Sequence, residues 1–194
     1  IPSGLNCDTG NVMNVAIKAT YTATYGYYKL CCFFNDEYCG IIKVFDISFP
    51  KNIIYDLDSN PVKVLNFNEI SNLLPKRINN SHKNTYGYVL IIGGSKGKSG
   101  AVSLSAKSCL KSGAGLVSVA TEEEIRNLIH LYSPEIMTEN IYDDIEVLLK
   151  NKSAVAIGPG LGKNEKTKEL LKYLIQKTQI PLIIDADGLN LIAN

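Results

Sequence analysis

From Tyr86 onward the sequence repeats one unit, a short apolar run, a glycine-bearing turn and an amphipathic helix. Tyr88 to Ile92 is an uninterrupted apolar run ended by Gly93-Gly94, as a strand buried on both faces requires. Residues 99–112 place small and apolar side chains at helical spacing, closed by Gly113 and Gly115. Residues 116–120 read as the next strand. Thr121 with Glu124 reads as a capping box opening a helix whose inner stripe is Ile125, Leu128, Ile129 and Tyr132. Residues 143–150 predict a helix with Ile145, Leu148 and Leu149 inward, and residues 154–157 a strand. Asn164 caps a helix with the stripe Leu170, Leu171, Leu174 and Ile175. Residues 181–184 are a fourth strand, and Leu189 begins a further helix. Strands alternating with helices predict an α/β fold, a parallel sheet with helices on both faces. The last helix meets the chain end, so the expectation is a sheet truncated on its C-terminal side.

The earlier part has a different texture. Residues 15–28, rich in Thr, Tyr, Val and Ala, alternate roughly in twos and predict a strand, as do residues 40–47. Tyr21, Tyr25, Tyr27 and Tyr28 are expected to pack along an edge strand. Residues 51–84 are rich in Asn, Lys, Asp and Ser, with one short helix over 68–74 stopped by Pro75. The expected division is therefore a first segment over 1–50, a connector over 51–84 and an α/β domain over 85–194.

Charge narrows the partners. Twenty Lys and Arg against 19 Asp and Glu give +1, and the arginines are only Arg77 and Arg126, which disfavours nucleic acid. No apolar run approaches the roughly 18 residues that span a bilayer, and no signal peptide is read at the N-terminus. Among Cys7, Cys31, Cys32, Cys39 and Cys109 there is no C-x-x-C spacing, and His82 and His130 are the only histidines. That argues against structural zinc and for buried free thiols in a reducing compartment. Both histidines are expected to be exposed and inert.

In an open α/β sheet, ligands bind beyond the carboxyl ends of the strands. Three post-strand segments there are rich in glycine and short polar residues: 93–100, 158–162 and 185–190. The first is not a P-loop, because Ile92 stands where Gly97-Lys98-Ser99 would need a glycine five residues before Gly97. It still offers backbone N–H groups at a helix start, so Gly94, Ser95, Gly97, Ser99 and Gly100 are candidates for an anion-binding loop. Gly158 and Gly160 allow close backbone approach around Pro159. Asp185 and Asp187 suit a ligand hydroxyl, a water or Mg²⁺, or the capping of the next helix.

Together these segments resemble one family. Residues 93–101, Lys111-Ser112-Gly113-Ala114-Gly115-Leu116-Val117, Pro134-Glu135 with Met137, residues 158–162, and Asp185-Ala186-Asp187 with Leu189-Asn190 look like the NAD(P)HX dehydratase domain. The resemblance implies a ribokinase-like fold that dehydrates hydrated nicotinamide cofactors at the expense of ADP or ATP, with Mg²⁺. It implies substrate contacts at Ala101, Gly158, Gly160, Gly162, Asp185, Asp187 and Asn190. It also implies that the catalytic Asp, in a G-x-G-D segment, falls after Asn194, so that no catalytic residue is expected here and the 194 residues alone are expected to be inactive.

Ile1-Pro2-Ser3-Gly4-Leu5-Asn6, Asp8-Thr9-Gly10, Ala16-Ile17-Lys18-Ala19, Thr22-Ala23-Thr24-Tyr25-Gly26 and Tyr38-Cys39-Gly40 are similar to the C-terminal part of NAD(P)HX epimerase. That implies a partial Rossmann-like segment, with Ser3 matching a potassium (K⁺) ligand. The two families occur fused in this order in bifunctional repair enzymes. The resemblance implies small-molecule nucleotides as partners, no membrane, a homo-oligomer at full length, and a cytoplasmic or organellar location. The alternatives are a sugar or vitamin kinase of the ribokinase-like class and a non-catalytic nucleotide-binding module.

Overall fold

The computed structural model describes residues 1–50, 62–74 and 76–193. The chain divides into two compact units, Ile1–Val64 and Leu65–Asn194.

In the first unit, strands β1 (Tyr21–Tyr25) and β2 (Ile41–Phe45) pair in parallel, Tyr21 beside Ile41 through Tyr25 beside Phe45. Two four-residue helices, α1 (Cys31–Phe34) and α2 (Asp36–Cys39), make the crossover. Both strands are shorter than the alternation predicts. The backbone before β1 bonds outside any ladder: Ile17 N–H donates to Ser3 O in a loop and Ala19 N–H to Tyr38 O in α2. Thr22 and Thr24 face inward and are buried, whereas Tyr21 and Tyr25 are exposed. The expected tyrosine packing is seen for three of the four: Tyr25 meets Phe45 across the β1–β2 pair, Tyr27 stacks on Phe49 and Tyr28 meets Phe33, although Tyr21 and Tyr25 stay exposed.

The second unit opens with helix α3 (Phe67–Leu73), capped by Asn66 and Glu69 reciprocally. It begins one residue before the predicted 68–74. Pro75, its expected stop, and residues 51–61 of the expected connector lie outside the described residues. Then follow β3 (Tyr88–Ile92), α4 (Ser99–Lys111), β4 (Leu116–Thr121), α5 (Glu123–Tyr132), β5 (Met137–Asn140), α6 (Ile145–Leu149), β6 (Ala154–Ile157), α7 (Glu165–Lys177), β7 (Leu182–Ile184) and α8 (Asp187–Ala193). The sheet is parallel throughout, in the order β5-β4-β3-β6-β7.

Period-two alternation splits β3 between two cores. Leu90 and Ile92 face Leu148 of α6 and Leu171 and Leu174 of α7; Ile91 faces Val102 and Ala106 of α4 and Ile129 of α5. At roughly 1.5–3 kcal/mol per buried aliphatic side chain, these two layers hold the sheet between its helices. The chain leaves β3 toward β4 on one side and returns through β6 on the other. The crevice beyond the carboxyl ends of β3 and β6 is thus the topological switch point, where ligands settle in such sheets.

Three expectations need correction. Thr121 does not cap α5: it is the last residue of β4, in register with Asn140 and fully buried, and Glu122 precedes the helix. The inner stripe of α5 is narrower than predicted, since Ile125 and Ile129 are buried but Leu128 and Tyr132 are half exposed. Ile175 of α7 is likewise 49% exposed, and Lys107 sits over the Tyr132 ring at 4.5 Å.

Candidate functional site

Because every strand of the sheet runs the same way, the segments after β3, β4, β6 and β7 share one rim. They also hold each other. Gly94 N–H donates to Pro159 O at 2.9 Å, and Ser95 Oγ to Gly160 O at 2.9 Å. Thr121 Oγ1 donates to Gly94 O at 3.3 Å. Gly158 N–H donates to Ile92 O, and Asp185 N–H to Ile157 O, both at 3.0 Å.

The glycines are there because side chains would not fit. A Cβ on Gly93 would lie 2.4 Å from Pro159 O, one on Gly160 2.6 Å from Lys98 O, and one on Gly158 1.7 Å from Asp185 O. Gly158 and Gly160 also have φ of +128° and +63°, which L residues rarely adopt. Gly97 and Gly100 differ: a Cβ on either would meet nothing within 4 Å. Those two positions leave bare backbone facing open space where α4 begins.

Asp187 closes the rim. Its Oδ2 accepts from Gly162 N–H at 3.0 Å and from Lys98 Nζ at 3.2 Å, tying three segments together. The Gly162 N–H bond, aided by the Lys98 ammonium against partial burial, holds this carboxyl below the ordinary carboxylate range. Ala186 beside it has φ +47°, an uncommon conformation for a non-glycine residue.

The structure thus brings together Gly94, Ser95, Gly160, Gly162 and Asp187, with Ala101 adjoining Gly160 at the start of α4. Gly97, Gly100 and Ala101 are exposed and Ser99 is half-buried. Asp185 joins through its backbone against Gly158, and its side chain, like Asn190, is exposed. Ser3 belongs to the first unit and is exposed. Lys98 and Thr121 are the members that sequence reasoning missed; the Gly97-Lys98-Ser99 string was a signal for the first, and nothing local marked the second.

The first turn of α4 carries no acidic residue, and Lys98 caps it with no side-chain bond. An uncapped helix start and glycine backbone suit a phosphate-bearing ligand. Further along the rim, Glu122, Glu123, Glu124, Asn140 and Tyr142 line a recess whose charge repels one. Among the described residues, no three His, Cys, Asp or Glu at this rim bring their ligand atoms close enough together to hold an ion by themselves. Magnesium usually binds through one or two carboxylates plus substrate phosphates, so this donor set fits an ion arriving with its nucleotide. No described helix is long and apolar enough to cross a membrane.

The profile of a family described as NAD(P)H-hydrate dehydratase matches residues 89–194. The bifunctional NAD(P)H-hydrate repair enzyme Nnr of Coxiella burnetii is 37% identical over 197 residues, covering all of this chain and 40% of its own length. The chain therefore spans well under half of the curated relatives it matches along its full length. A ribokinase-like superfamily protein of Enterococcus faecalis superposes with a TM-score of 0.61 at 29% identity, over 66% of this chain and 47% of that one. The ADP/ATP-dependent NAD(P)H-hydrate dehydratase of Bacillus subtilis, co-crystallised with ATP/Mg²⁺, does so with 0.56 at 30% identity, over 63% and 45%.

Proposed function

This chain belongs to the NAD(P)H-hydrate dehydratase family, and from that premise we propose that its α/β unit serves the ADP- or ATP-driven dehydration of (S)-NAD(P)HX to NAD(P)H. The observation that carries the reading is the mutual bonding of the 93–100, 158–162 and 185–190 segments at the switch point. Gly94, Ser95, Gly97, Ser99 and Gly100 form the anion-binding loop: Gly94 and Ser95 brace it against Pro159 and Gly160, and the N–H groups of Gly97, Ser99 and Gly100 meet phosphate. Gly158 and Gly160, packed against Asp185 and Lys98, shape the floor beneath the nucleotide, and the half-buried Gly162 meets it with bare backbone. Ala101, Asp185 and Asn190 contact it from the exposed side. Asp187 fixes the loop geometry through Gly162 and Lys98. Magnesium, when bound, neutralises phosphate charge, with Asp185 as the exposed carboxylate at the rim.

The domain division 1–50, 51–84 and 85–194 is part of the proposal. The first segment contributes to epimerisation of the R form, with the exposed Ser3 as one oxygen ligand of a potassium ion, and the whole protein acts as a homo-oligomer on small-molecule nucleotides. Calorimetric titration of the 194-residue chain with NADPH hydrate tests the binding claim. The expected result is one site per chain, weakened by a Gly160→Val substitution. Absence of binding, or binding indifferent to that substitution, contradicts it.

A further inference from the structure

The buried apolar set of the first unit is mostly sulfur. Among the described residues of Ile1–Val64, the buried hydrophobic side chains are Leu5, Cys31, Cys32 and Cys39. These thiols are free. Their sulfur atoms lie within 4.8 Å of one another, and the three residues are 0%, 2% and 0% exposed.

The backbone alone brings them together. Cys31 N–H donates to Cys7 O and Cys32 N–H to Lys29 O, both at 2.9 Å. Cys39 N–H donates to Asn35 O at 3.1 Å, and the buried Thr22 hydroxyl donates to Cys39 O at 2.6 Å. Helix α1 supplies two sulfurs and the end of α2 the third, so the corner between two very short helices forms a preset cradle. With metal–sulfur bonds of about 2.3 Å, a trigonal ion holds its sulfurs about 4 Å apart, which is compatible with three sulfurs all within 4.8 Å of one another.

We propose that Cys31, Cys32 and Cys39 form a three-thiolate site for monovalent copper. Thiolates select soft ions, Cu⁺ and Zn²⁺ foremost. Structural zinc takes four donors. Here no further described Cys, His, Asp or Glu joins the group: Cys7 adjoins Cys31 through its carbonyl, but its sulfur does not lie within 4.8 Å of all three, and burial of the trio shuts out a water as the fourth. A soft cation content with three sulfurs fits. Bound there, it would staple α1 to α2.

The test is an anaerobic titration of the reduced 194-residue chain with Cu⁺ against a chromophoric Cu⁺ chelator. The expected result is one ion withdrawn per chain, with thiolate-to-copper charge-transfer absorption. Cys31→Ser, Cys32→Ser and Cys39→Ser should each weaken binding by about 100-fold or more, while Cys109→Ser leaves it unchanged. A wild-type readout covers variants that fail to fold. Alkylation in mild urea followed by mass spectrometry should find Cys31, Cys32 and Cys39 protected by copper, and Cys7 and Cys109 still reactive. The proposal is overturned if the chelator keeps the copper, if protection extends to Cys7 or Cys109, or if equimolar Zn²⁺ displaces the copper.

Discussion

Gly158→Ala tests how tightly the rim is built. The new Cβ would lie 1.7 Å from Asp185 O and 2.8 Å from its carbonyl carbon, with backbone at φ +128°. Both neighbours are backbone, so no side chain can swing away; the end of β6 and the start of α8 must separate by more than 1 Å on the order required for van der Waals contact. That separation endangers two hydrogen bonds, Asp185 N–H to Ile157 O at 3.0 Å and Gly188 N–H to Asp185 O at 2.8 Å. At about 1 kcal/mol each, with about 1–3 kcal/mol for forcing a side chain into a glycine-only conformation, the expected loss is about 3–5 kcal/mol. Gly97→Ala is the internal reference. Its φ is +80° but its Cβ meets nothing within 4 Å, so it should lose only about 1 kcal/mol. Urea unfolding followed by far-ultraviolet circular dichroism measures both, the chain having no Trp. With a slope of roughly 1–3 kcal/mol per molar urea, the Gly158 variant should unfold at least about 0.7 M earlier than the Gly97 variant. Equal midpoints would refute the close backbone contact between the two segments.

Asp187→Asn removes the charge that Gly162 N–H and Lys98 favour, and should destabilise the chain by about 1–2 kcal/mol at neutral pH. The depressed native pKa means this contribution is present above the ordinary carboxylate value and is lost as pH falls through the lower native one. Wild type and variant stabilities should therefore converge in acid, below about pH 4; a gap that persists there refutes the charge argument. Gly100→Ala places a methyl in open space on a helix, so stability should rise by up to about 0.5–1 kcal/mol while NADPH hydrate binding weakens by at least about tenfold. Unchanged affinity in calorimetry would remove the start of α4 from the site.

Strands β3, β4, β6 and the half-exposed edge strand β7 were legible because each is a short apolar run bounded by glycine, proline or polar residues. Strand β5 was not, since Met-Thr-Glu-Asn at a sheet edge carries neither alternation nor an apolar run, and only its pairing with β4 defines it. Asn164 capped α7 as its spacing with Thr167 allowed. Thr121 imitated a cap because a hydroxyl at a strand end and one before a helix look alike in sequence; only the 3.3 Å bond to Gly94 O shows its role. The glycines of the rim were legible as turns, but not the partners that exclude a Cβ. The Cys31, Cys32 and Cys39 trio was invisible for a related reason: residues 32 and 39 are joined by the turn between two helices, a geometry that no metal-ligand spacing encodes.

The most direct test of the shared rim is a map of backbone amide chemical shifts on adding NADPH hydrate. The account predicts changes concentrated in residues 93–101, 158–162 and 185–190 together, with Gly97 and Gly100 prominent. Changes confined to one of these segments, or centred on Asn84, Leu116 and Ser153 at the opposite end of the sheet, would contradict it.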